Sequence, residues 1–91
     1  MTGRPIRFQP GEIRVTCGAV EVAGKEELSA ILRRHLHGDW GDVCEDDARE
    51  NDKALRHGDR LLSVYKVNEE KRLIITSACR SETTIMTSRE Y

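Results

Sequence analysis

Aromatic side chains are scarce in this chain, with one tryptophan, one phenylalanine and two tyrosines among 91 residues. A core without ring area must be assembled from aliphatic side chains on amphipathic elements, and at this length there is room for one thin core only. Three cysteines, Cys17, Cys44 and Cys79, are odd in number and far apart. That spacing argues against a disulfide framework and against paired zinc knuckles, and reads as reduced thiols of a cytoplasmic protein. Both prolines, Pro5 and Pro10, fall in the first ten residues, which read as an extended leader to a single domain over 1–91. No apolar run approaches the roughly 20 residues that span a bilayer, and Arg4 and Arg7 are not followed by one, so neither insertion nor secretion is expected. An excess of charge is missing too: 15 basic residues stand against 16 acidic ones. A whole-body electrostatic grip on nucleic acid is therefore excluded, and any charged partner must meet a local patch.

What is present is periodicity. Ile13, Val15 and Cys17 alternate with Glu12, Arg14 and Thr16, the pattern of a half-buried strand. Gly18 followed by Val20 and Val22 reads as a reversal into a second strand. The period then changes: Leu28, Ile31, Leu32, His35 and Leu36 follow helical spacing, with Glu26 and Glu27 in the first turn and Gly38 as the stop. Asp42 and Glu45 predict a capping box for a second helix whose inner stripe is Cys44, Ala48, Asn51 and Leu55, ending at Gly58. Asn51 on that stripe calls for internal partners, and the Gly38–Trp40 turn is the nearest supply of backbone groups. Extended patterns over Leu61–Val67, Leu73–Ile75 and Thr83–Thr87, with a reversal at 68–70 and a loop at 78–81, complete the order ββααβββ. The expected fold is α+β, an antiparallel sheet of about five strands with two helices on one face.

The chemistry-bearing residues crowd between the helices. Trp40, held between Asp39 and Gly41, reads as a plug between helix ends or as an exposed binding anchor. His35, His37, Asp39, Asp42 and Cys44 lie within ten residues, but two histidines two apart on a helix point to opposite sides and no zinc spacing appears, so neither metal nor cofactor is expected. From Asp39 to Asp52 seven acidic residues stand against Arg49 alone, a local charge of minus six. Either a solvated helix face or a surface that imitates nucleic-acid phosphates fits that run. Cys44 beside Glu45, Asp46 and Asp47 reads as an inert, partly buried thiol. Arg80, Thr84 and Tyr91 with His35 form the one conceivable enzyme site, a metal-independent ribonuclease, although no spacing forces them together. Phosphate-binding glycine loops and serine elbows are absent from the sequence.

Gly38-Asp39-Trp40-Gly41-Asp42, Asn51 with Ala54-Leu55, Gly58, Arg60-Leu61-Leu62-Ser63, Tyr65, Ile74-Ile75-Thr76, Arg80-Ser81, Thr83-Thr84 and Tyr91 together resemble a family of short, uncharacterised bacterial proteins carried on plasmids and other mobile elements, often labelled plasmid-related. The likeness covers about two thirds of the chain. This chain departs from the pattern at Ser77-Ala78-Cys79, where an acidic residue is usual on each side of the alanine, and at Thr87-Ser88-Arg89, where a proline is usual. The resemblance implies a phage, plasmid or integrated-element setting, in which small proteins act by disabling host defence complexes. With the acidic run it leads to an expected function: a non-enzymatic binding protein that inhibits a bacterial defence nuclease, such as a CRISPR effector, without touching nucleic acid itself. Its expected contact residues are Asp39, Trp40, Asp42, Glu45, Asp46, Asp47 and Glu50. A homodimeric structural or regulatory module joined through an exposed edge strand is the remaining alternative.

Overall fold

The computed structural model of the chain describes residues 6–67, 72–78 and 81–91. Its elements are β1 (Glu12–Val15), α1 (Cys17–Val22), α2 (Lys25–Leu36), α3 (Glu45–His57), β2 (Leu61–Lys66), β3 (Arg72–Ala78) and β4 (Glu82–Thr87). The α+β class is as expected, whereas the strand count and the pairing are not. Four strands form one sheet in the order β1-β4-β3-β2; β2, β3 and β4 make an antiparallel meander, and β1 joins β4 in parallel.

The expected hairpin at Gly18 is instead the helix α1. Thr16 leaves the strand in extended conformation and its Oγ1 accepts from the Ala19 N–H at 3.1 Å, which caps a helix where the valine alternation is only three residues long. With a helix rather than a hairpin after β1, the strand cannot pair with its successor, and it runs along β4 in parallel. The capping box at Asp42 is likewise not formed. Cys44 is the N-cap of α3 and makes no side-chain cap bond, while Asp42 lies outside the helix. The reversal expected at 68–70 and Cys79 lie outside the described residues.

Strand alternation places one face of the sheet under the helices. Leu61, Ser63 and Tyr65 of β2, Leu73, Ile75 and Ser77 of β3, and Thr83 and Ile85 of β4 are all buried there. One apolar cluster joins Tyr65, Leu73, Ile75 and Ile85 to Ala19, Ala23 and Ile31 of the first two helices. The other joins Leu61 to Ala54 of α3, Trp40 and Phe8. Phe8 draws the second half of the expected leader into the fold: Arg7 N–H donates to Leu36 O at 2.8 Å, and the Pro10 carbonyl accepts from Thr83 Oγ1 at 2.8 Å. Among the described residues no helix is long and apolar enough to cross a membrane.

The two edges of the sheet differ. On the outer edge of β2, Val64 N–H donates to Trp40 O at 3.1 Å and Val64 O accepts from Asp42 N–H at 2.6 Å. The neighbouring Leu62 is held by Asn51, whose Nδ2 donates to Leu62 O at 2.7 Å and whose Oδ1 accepts from Leu62 N–H at 3.1 Å. Asn51 is thus the internal polar clasp that the helical stripe predicts, but its partner is the β2 backbone rather than the 38–40 turn. Gly41 lets the turn lie this close, since a Cβ there would stand 2.1 Å from Val64 O.

Candidate functional site

His35, Ser63, Ser77 and Thr83 form a polar string through the interior, each of them fully buried. Thr83 Oγ1 donates to Pro10 O, so Ser77 Oγ, 2.8 Å away, is the donor to Thr83. Ser77 Oγ then accepts from His35 Nε2 at 3.0 Å, and His35 Nδ1 and Ser63 Oγ share a hydrogen bond of 2.6 Å. Donor counting therefore places a proton on Nε2. The edges of Phe8 and Trp40 close on this ring, at centroid distances of 5.3 and 5.8 Å.

A serine hydroxyl 2.6 Å from a histidine nitrogen has the spacing of a nucleophile and its base. With no solvent reaching either group, however, no substrate can meet it, and the string binds helix to sheet. The ribonuclease constellation is not assembled. His35 is enclosed, Thr84 lies on the sheet face opposite to the buried Thr83, Tyr91 is exposed at the chain end, and Arg80 lies outside the described residues. Nor do the metal candidates converge: His37 Nδ1 is 2.7 Å from Arg33 O, and among the described residues no three His, Cys, Asp or Glu side chains gather.

Trp40 is 5% exposed, so its ring is a plug rather than a surface anchor, with Nε1 donating to Asp52 Oδ1 at 3.2 Å. Its place in the partner-binding set is corrected accordingly: the buried ring holds the turn and is not presented at the surface. Asp39 is exposed but engaged. Arg34 donates to it through two nitrogens, at 2.7 and 3.2 Å, and Gly41 N–H donates at 3.2 Å. The Arg34 bond, opposed by partial burial and helped by Gly41, holds this carboxyl below the usual range. The same guanidinium lies 4.8 Å above the Tyr65 ring, whose hydroxyl donates to Asp39 O at 2.6 Å. Burial pushes the Tyr65 hydroxyl up to about 12.

The other acids fall into two groups. Asp42 faces Arg72 at 3.5 Å, Asp46 pairs with Arg49, and Glu50 faces Lys53 at 3.9 Å. Glu45 and Asp47 are exposed and make no ion pair with the described residues. Charge on α3 is graded along its length, with Glu45, Asp46 and Asp47 in the first turn and Arg56 and His57 in the last. Both ends complement the helix dipole. The minus six of the sequence thus narrows toward one acidic helix turn, because cations from α2, α3 and β3 stand beside Asp39, Asp42 and Glu50, and Asp52 accepts from the Trp40 indole.

A feature that the sequence reading passed over lies at β1. Ile13, Val15 and Val20 are 46, 40 and 58% exposed. With Ala23, Leu28, Leu32 and Ile85 they line an apolar groove of about 460 Å³ between β1 and the first two helices. The alternation at Ile13 and Val15 marks the face correctly, but among the described residues no strand lies outside β1, which leaves that face half open. Both Cys17 and Cys44 are free and exposed, so Cys44, expected partly buried on the inner stripe, stands instead at the helix N-cap in contact with solvent. Comparison with protein-family models, with curated proteins and with solved structures finds no match to this chain.

Proposed function

We propose that the chain is a small non-enzymatic binding protein of a mobile element, which inhibits a bacterial defence nuclease of the CRISPR-effector kind by seating the first turn of α3 in a basic groove that otherwise holds nucleic acid. The observation that carries this reading is the exposure of Glu45, Asp46 and Asp47 together on one turn, two of them without an ion pair among the described residues. Asn51 clamps the helix to β2, so the turn is presented without a large ordering cost. Carboxylates offered this way to a basic surface give fast, salt-sensitive association. The groups best suited to acid–base chemistry, His35 with its serines, are enclosed, which favours binding over catalysis.

The test is inhibition of purified effector nucleases by the chain across a salt series. Inhibition should weaken as salt rises and should be lost in Glu45→Lys/Asp47→Lys, whereas Glu27→Lys, exposed on α2, should inhibit like the parent. An inhibitor that tolerates both reversals in α3 would show that this turn is not the contact, and absence of inhibition across effector types would remove the function.

A further inference from the structure

We propose that β1 is a self-association edge: two copies join β1 to β1 in antiparallel fashion across a two-fold axis at Ile13, making one eight-stranded sheet. At the ends of β1, Glu12 N–H donates to Ser81 O and Thr16 N–H to Ile85 O, both at 3.0 Å. By alternation Ile13 and Val15 turn their backbone groups away from β4, toward the open edge. The opposite edge of the sheet has no such vacancy at Leu62 and Val64, where Asn51 and residues 40–42 complete the ladder.

Charge selects the occupant and the register. Natural edges are commonly blunted by brevity and charged side chains; β1 is short and carries Glu12 and Arg14 on the face away from the helices, but these are opposite in sign and pair with each other at 3.0 Å, with Glu82 3.5 Å from the same guanidinium. With the axis at Ile13, Glu12 of each copy stands opposite Arg14 of the other, giving two cross-strand ion pairs in the close, non-hydrogen-bonded positions. The two Ile13 residues exchange both backbone bonds, and Val15 reaches Gly11 of the other copy, which lies outside the strand at φ +69° and adds no side chain. An axis at Arg14 would instead oppose two arginines. A two-fold normal to the sheet also keeps both helical layers on one side, so the two apolar grooves face each other and Ile13, Val15 and Val20 of both copies meet around the axis. The chain's net charge of minus one offers little repulsion to this approach.

Sedimentation of the full chain over a concentration series, with charge variants, tests the assignment. The parent should dimerise. Glu12→Arg and Arg14→Glu, each placing like charges opposite one another twice, should each weaken the dimer by roughly tenfold or more. An equimolar mixture of these two variants should recover association as a heterodimer, and the double exchange Glu12→Arg/Arg14→Glu should recover it as a homodimer. Circular dichroism and melting of each variant establish that the fold is retained, as expected for side chains this exposed. A parent that stays monomeric throughout overturns the proposal and leaves the groove to a strand from another protein. A dimer indifferent to both single variants overturns it as well, by placing the contact elsewhere, and failure of the mixture to associate refutes the register.

Discussion

Replacing Asn51 by alanine isolates one side chain that does the work of a neighbouring strand. The amide satisfies both backbone groups of Leu62 at 2.7 and 3.1 Å, and Asn51 itself is 5% exposed. Each bond contributes roughly 0.5–1.5 kcal/mol net, and stranding a buried group costs roughly 1–3 kcal/mol. Because β2 is an edge strand, water can partly replace the amide, so a loss of about 2–3 kcal/mol follows rather than the full sum. For a domain of this size that is a fall in Tm of roughly 10–20 °C. Urea denaturation of Asn51→Ala measures the first quantity, and hydrogen exchange locates it. The Leu62 amide should lose protection, while Val64, bonded to Trp40 O, should keep more of its own. A loss below about 0.5 kcal/mol, or an unchanged Leu62 amide, would refute the view that the clasp holds α3 on the sheet.

Two further outcomes are expected. Gly41 and Gly58 share φ +78°, but a Cβ meets Val64 O at 2.1 Å at the first and nothing within 4 Å at the second; urea titration should give about 1–2 kcal/mol of destabilisation for Gly58→Ala and roughly 2–5 kcal/mol for Gly41→Ala, and equal losses would contradict the close approach. Tyr65 is raised to about 12 by burial, so its neutral form is retained longer in the folded chain than in the unfolded one: its stabilisation is complete below the unfolded value of about 10 and is lost as pH climbs through 12. In Tyr91→Phe, where Tyr65 is the remaining tyrosine, tyrosinate absorbance should therefore appear late and together with loss of secondary structure, not as a simple titration near 10.

The elements with long, uninterrupted periodicity were legible. The 3.6-residue spacing from Leu28 to Leu36 and the alternation through Leu61–Tyr65 and Leu73–Ile75 each mark an element and its buried face, because both faces of those segments have fixed environments. Strand β1 was legible too, but the segment after it, Cys17–Val22, was not, and the cause is local: three residues of valine alternation after a glycine look like a hairpin, while the cap that starts α1 is a single threonine hydroxyl. Parallel pairing of β1 with β4 depends on contacts 70 residues apart and leaves no periodic trace. For the candidate site, Asn51 was recognisable as a buried amide needing partners, but a helix stripe does not reveal which backbone lies across from it. The interior string was missed although its signs were present, His35 on the inner stripe of α2 and Ser63, Ser77 and Thr83 at inward strand positions. Acidity counted over 39–52 overstates the surface field, since Arg34, just before that run at the end of α2, and Arg72, from distant β3, stand beside Asp39 and Asp42.

The contrast between the two sheet edges connects the proposed inhibitor surface with the proposed dimer. Closing the β2 edge uses the tryptophan turn, a left-handed glycine and the Asn51 clasp, and these same groups fix the first turn of α3 beside that edge. Pairing through β1 occurs at the opposite side of the sheet, so in the eight-stranded dimer both acidic turns remain on the outer flanks and neither is covered. Such a dimer presents two identical acidic turns separated by the full width of the sheet, and it engages a partner with paired basic grooves more strongly than a monomer through effective concentration alone. The two readings consequently separate under mutation. Arg14→Glu should lower potency only toward a target with two such grooves, leaving binding to a single groove unchanged, whereas Glu45→Lys/Asp47→Lys should abolish inhibition while leaving the sedimenting species dimeric.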